Sequence, residues 1–151
     1  MNTGYRSLAL ASQNGHLACL ELLIQEGGVV DAAANDGFTG LMLAAQNGHD
    51  LCSRALLEAG AQLEMKVSDG ATALVVACQN GHTRCAEVLL EKGADANAVK
   101  NDGFTALMVC SQYGHDLCSR ALLENGAAVN SQNKNGWTAL MFSAQNGHKQ
   151  V

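Results

Sequence analysis

The chain of 151 residues contains no proline, and only 4% of it is aromatic. With 16 glycines beside that absence, short helices punctuated by glycine are expected rather than a proline-rich linker or disordered tail. With so few rings, a core must be built of Ala, Leu, Val, Met and Cys, which requires close backbone approach. Basic clusters are also missing. Each Lys or Arg stands apart from the next, and the formal net charge is -5. Nothing is arranged to meet a phosphate backbone, so nucleic acid is not expected as a partner. No apolar run approaches the ~20 residues that a membrane-spanning helix needs. The opening residues Met1 to Arg6 lead only into a brief apolar patch from Leu8 to Ala11, a poor secretory signal.

What is present is a repeat. All five histidines, His16, His49, His82, His115 and His148, are spaced by 33 residues, and each follows a glycine. Leu8, Leu41, Leu74, Leu107 and Leu140 keep the same register, as do Gln13, Gln46, Gln79, Gln112 and Gln145. Thr39, Thr72, Thr105 and Thr138 precede their leucines by two, and Cys19, Cys52, Cys85 and Cys118 follow their histidines by three. A longer period of 66 relates residues 35–61 to residues 101–127, as if a pair of units had been duplicated as a block.

One unit reads physically as turn, helix, glycine stop, helix and glycine stop. Asp36-Gly37 suits a tight hairpin-like tip. Thr39 can cap a first helix through its hydroxyl. Leu41, Ala44 and Ala45 then form one apolar stripe, which Gly48 ends. A second helix from about Asp50 carries Cys52, Ala55 and Leu56 on its inner face, widened by Leu57, and Gly60 ends it. Helices this short are marginal alone. Stacked units would bury their stripes against one another in a solenoid. Cysteines on such stripes read as small buried hydrophobes in a reducing, intracellular and specifically cytoplasmic setting, not as a disulfide framework.

The pattern D-G-x-T-x-L-x-x-A-A-x-x-G-H followed by L-L-E-x-G-A-x-x-N resembles the ankyrin repeat, over essentially the whole chain. The resemblance implies an all-α solenoid of helix-turn-helix units with β-turn tips. It forms a single domain over residues 1–151, with units of about 1–33, 34–66, 67–99, 100–132 and an incomplete 133–151. The family's Thr-Pro-Leu-His is replaced here, for instance by Thr39-Gly40-Leu41-Met42, so each first helix is expected to start less firmly. Ser53 and Ser119 stand where the family usually buries valine. Asn97 and Asn130 match its closing asparagine, whereas Asp31 and Glu64 do not. The fifth unit stops inside its second helix with no polar-faced closing repeat, so the chain is expected to be a fragment or domain of something longer.

Three groups of residues bear on function. The His-x-x-Cys pairs could offer metal ligands on one helix face. Zinc, however, needs about four converging ligands and the pairs lie one repeat apart, so a helix-opening His and a core Cys are the simpler reading. Cys78 and Cys110 replace alanine in the first-helix stripe and read as packing, with no base beside them to make a nucleophile. No nucleotide-binding loop, carboxylate pair or triad occurs, so no enzyme, metal or cofactor is expected. Finally, the residue after each tip glycine is Tyr5, Phe38, Ala71, Phe104 and Trp137, which places four of the six aromatics at one position. They are either solvent-facing anchors for a partner or rings packed on neighbouring tips.

In the family, partners usually bind the concave face of tips and first helices. Carried onto this sequence, that face comprises Tyr5, then Asn35, Asp36, Phe38, Gln46 and Asn47, then Asn101, Asp102, Phe104, Gln112 and Tyr113. It continues with Lys134, Asn135, Trp137, Gln145 and Asn146. The resemblance therefore implies a non-enzymatic scaffold, a monomer or a module of a larger chain, that binds another protein. The alternatives are a spacer within a longer protein and a metal-binding repeat protein.

Overall fold

The computed structural model describes residues 3–148. Among these, nine helices follow one another: α1 (Thr3–Asn14), α2 (Leu17–Gln25), α3 (Gly40–Asn47), α4 (Asp50–Glu58), α5 (Ala73–Gln79), α6 (Thr83–Glu91), α7 (Ala106–Tyr113), α8 (Asp116–Glu124) and α9 (Ala139–Asn146). The odd-numbered helices pack side by side as one layer and the even-numbered ones as a second, each pair forming an antiparallel hairpin. The residues that would continue a second helix in the fifth unit lie outside the described ones.

Local chemistry sets the helix boundaries. The Thr39, Thr105 and Thr138 hydroxyls accept from the backbone N–H of Met42, Met108 and Met141 at 3.2–3.3 Å. Gly48, Gly114 and Gly147 end the first helices in the left-handed region, with φ of 71–78°, where a side chain would be strained. One helix start departs from the others. Thr72 starts α5 without a side-chain cap, and its buried hydroxyl has no partner. The second helix of unit two ends at Glu58 with Ala59 as its cap, and Gly60 follows in the left-handed region at φ 95°, so glycine stops this helix as expected.

The stripes meet as the periodicity requires. Leu8, Leu41, Leu74 and Leu107 are each 1% exposed, and Leu56, Leu89 and Leu122 are fully buried. Leu140, fifth in the register, is 58% exposed, since α9 packs mainly on α7 and no described helix follows it. The same end effect corrects one cysteine. Five cysteines are buried, but Cys19 is exposed. In later units the equivalent thiol faces the preceding repeat, as Cys85 does against Ser53 and Ala44. No described unit precedes α2.

Two ladders built on side chains join the units. In the first, Asp31 Oδ1 accepts from Gln62 N–H (2.9 Å), Glu64 Oε1 from Asp95 N–H (2.9 Å) and Asn97 Oδ1 from Ala128 N–H (2.7 Å). Asp31 and Glu64 thus supply the same acceptor as the asparagine they replace. The second ladder is made of histidines. His49 Nε2 lies 3.0 Å from Gln13 O, and His115 Nε2 lies 3.2 Å from Gln79 O.

Candidate functional site

The tips and first helices share one face, and each tip is a tight hairpin. Ala34 N–H donates to Phe38 O and Gly37 N–H to Ala34 O, at 3.0 and 2.9 Å, and the pattern recurs at Lys100/Phe104 and Asn133/Trp137. Asp36 Oδ1 and Asp102 Oδ1 each accept from the N–H two residues on, at 3.1 Å. In unit five Asn133 takes that role, accepting from both Asn135 and Trp137 N–H. Successive tips are also joined to one another. Ser68 N–H donates to Asp36 O (3.1 Å), Asn101 N–H to Asp69 O (2.9 Å) and Lys134 N–H to Asp102 O (3.4 Å). The Asn101 side chain adds a bond to Ser68 O at 3.0 Å. The face is therefore tied along its length through the backbone.

Asn35, Asp36, Gln46, Asn47, Asn101, Asp102, Gln112, Tyr113, Asn135 and Gln145 are exposed. The aromatics sit differently. Phe38, Phe104 and Trp137 are half-buried against the core. Phe142, buried in α9, lies 5.1 Å from both the Phe104 and the Trp137 ring centroids, so the two tip rings share one packing partner. Tyr5 belongs to no tip. It lies in the first turn of α1, and its hydroxyl donates to Phe38 O at 3.2 Å. Burial first, and the Asp36 carboxylate second, push its phenol above the ordinary value. Tyr113 is the one freely exposed ring of the set, 52% exposed and stacked on His115 at 6.1 Å.

A cleft of about 400 Å³ opens on this face between the first two units, with Tyr5, Leu10 and Gln13 on one side and Asp36, Phe38 and Gln46 on the other. Lys100 anchors the middle of the face, its Nζ 3.0 Å from Asp69 and 3.7 Å from Asp102. Burial acts to raise the Asp69 carboxyl. The Ala71 N–H and the Lys100 ammonium outweigh that and hold it below the usual carboxylate range.

A family model for ankyrin repeats (3 copies) matches residues 2–67, 62–133 and 93–151. The chain belongs to the ankyrin repeat family. Ankyrin repeats are in general protein–protein interaction modules and typically non-enzymatic scaffolds. No curated protein matches the sequence. No described helix is long and apolar enough to cross a membrane.

The other chemistry-bearing residues sit away from the tips. The His-x-x-Cys pairs do not converge. Each ring from His49 on covers the glycine of the preceding unit, while Cys52, Cys85 and Cys118 point into the core. Sequence reasoning missed a different group. Cys78, Cys110 and Cys118 are all buried, with their sulfurs within 4.8 Å of one another. The Cys110 thiol, then that of Cys78, hydrogen-bonds to Cys118 and holds it below the ordinary thiol range. Hydrogen bonding with Cys110 first and with Cys118 second, and then burial, push Cys78 well up. The signal available in the sequence was the replacement of the stripe alanine by cysteine in two consecutive units.

Proposed function

We propose that this ankyrin repeat protein binds a partner protein through the concave face formed by its turn tips and first helices. The observation that carries the reading is the tip-to-tip backbone ladder, from Asp36–Ser68 through Asp69–Asn101 to Asp102–Lys134. It fixes the spacing of the exposed side chains before any partner arrives, so little ordering entropy opposes association. The exposed groups are amides and carboxylates: Asn35, Asp36, Gln46 and Asn47, then Asn101, Asp102 and Gln112, then Asn135 and Gln145. Tyr113 is the exposed aromatic among them and the strongest candidate anchor. Phe38, Phe104 and Trp137 contribute an edge and a stiff floor, and Tyr5 closes the first cleft. The partner expected is a protein, with neither nucleic acid nor membrane required.

The test uses surface positions whose replacement leaves the core intact. Gln46→Arg, Gln112→Arg and Tyr113→Ala together alter the proposed face. Arg84→Glu with Glu87→Arg alters the exposed side of α6 instead. Proteins captured by the wild type and by the α6 variant but lost by the face variant support the reading. Equal capture by all three chains refutes it.

A further inference from the structure

We propose that Cys78, Cys110 and Cys118 form a buried trithiol site for arsenic(III), taken up as arsenous acid. The three residues come from α5, α7 and α8, so the site joins the third unit to both helices of the fourth. Their placement is particular to this interface. One period earlier the equivalent residues are Ala45, Ala77 and Cys85, and one period later Ser111, Ser143 and Val151. Only between the third and fourth units do all three positions carry sulfur.

Geometry and charge together select the ligand. Thiolates ~2.3 Å from a shared ion stand about 4 Å apart, so sulfurs within 4.8 Å of one another close on an ion by sub-ångström shifts. No fourth histidine, cysteine or carboxylate completes the cluster among the described residues, which leaves a tetrahedral zinc site one ligand short. All three sulfurs are fully buried in the apolar core, where a net charge is costly. Three thiolates would leave zinc(II) at minus one and copper(I) at minus two. Three-coordinate arsenic(III) leaves the site neutral.

Two polar groups at the rim are consistent with a ligand. Thr83 Oγ1 lies 3.3 Å from Cys118 Sγ. The Ser119 hydroxyl lies beside Cys110, and its oxygen is buried without a well-formed hydrogen bond. Uptake is a simple condensation. Three S–H and three As–O bonds break, three S–As bonds form and three waters leave. Arsenic stays trivalent, so no oxidant or reductant takes part.

The test is native mass spectrometry of the reduced full chain with sodium arsenite, beside thermal unfolding. The expected adduct has the mass of one arsenic atom less three hydrogens, and it raises the melting temperature because the folded stack holds the three thiols together and binds more tightly than the unfolded chain. Cys78→Ala and Cys110→Ala each install the residue found one repeat earlier, so both fold. Each is expected to lose the three-hydrogen adduct and bind arsenite at least tenfold more weakly, whereas a Cys19→Ser, Cys52→Ala variant retains it. The proposal is overturned by a three-hydrogen adduct that persists in Cys78→Ala or Cys110→Ala, or by a folded wild type that forms none. It is equally overturned by zinc(II) or copper(I) displacing arsenic from the site in competition.

Discussion

The imidazole of His49 covers Gly15 from one repeat away. A β-carbon added at Gly15 would lie 2.5 Å from His49 Nδ1, while Nε2 of the same ring reaches Gln13 O at 3.0 Å. The glycine thus serves two ends, a left-handed helix stop with φ of 71° and a floor for the next unit's ring.

Gly15→Ala is expected to destabilise the protein by about 2 kcal/mol, since it meets both backbone strain and a clash. His49→Ala is expected to cost about 1 kcal/mol for its hydrogen bond, and more with the lost packing. Urea unfolding followed by circular dichroism measures both. A Gly15→Ala chain as stable as the wild type would contradict the close fit.

Equivalent threonines should respond in opposite directions. Thr39→Ala removes a working cap and is expected to cost about 1 kcal/mol. Thr72→Val replaces a buried hydroxyl that has no partner, so it is expected to be neutral or stabilising. Ser119→Val should behave like Thr72→Val. Ser53→Val should gain less, because Ser53 donates to His49 O at 3.1 Å. Denaturant midpoints of the four variants give the ordering.

Thiol labelling at pH 8 should modify Cys19 quickly and the five buried cysteines only on unfolding. Cys85 is protected twice, by its position and by burial that pushes its thiol up to about 11, so it stays protonated. Mass spectrometry after a brief exposure to iodoacetamide should show one label. A second fast label would show that the stack opens at one of its joints.

Acid should loosen the tip ladder. The folded carboxyl of Asp69 lies below its unfolded value, so its contribution is complete above the ordinary carboxylate range, near pH ~4, and is lost as pH falls through the folded value. The side chain is 54% exposed and screened by solvent, so the effect is a modest part of the acid transition. Asp69→Asn should flatten the fall in urea midpoint between pH 5 and pH 3, and an unchanged slope would remove the Lys100 pair from the explanation.

Much of the architecture was legible in the sequence because it is local. The Thr39 cap, the Gly48 stop and the Leu41, Ala44, Ala45 stripe are each decided within four or five residues of chain. What escaped depends on residues a full unit away. Tyr5 follows a glycine like Phe38 does, yet it lies inside α1. Cys19 has the register of Cys52 but no described unit to cover it. Asp31 and Glu64 break the asparagine pattern in name only, because their neighbours need an acceptor and a carboxylate supplies one. The tip aromatics left two readings open. Packing of Phe104 and Trp137 on Phe142 accounts for those rings, while Tyr113, outside that position, is the exposed one.

The ring-on-glycine joint also has a direction. Every such joint sets a histidine of the later unit onto a glycine of the earlier one: His49 on Gly15, His82 on Gly48, His115 on Gly81 and His148 on Gly114. Within the stack the contact therefore joins two different surfaces, the histidine side of one unit and the glycine side of the unit before it. Units joined through it run head to tail, each set on the one before by the same contact.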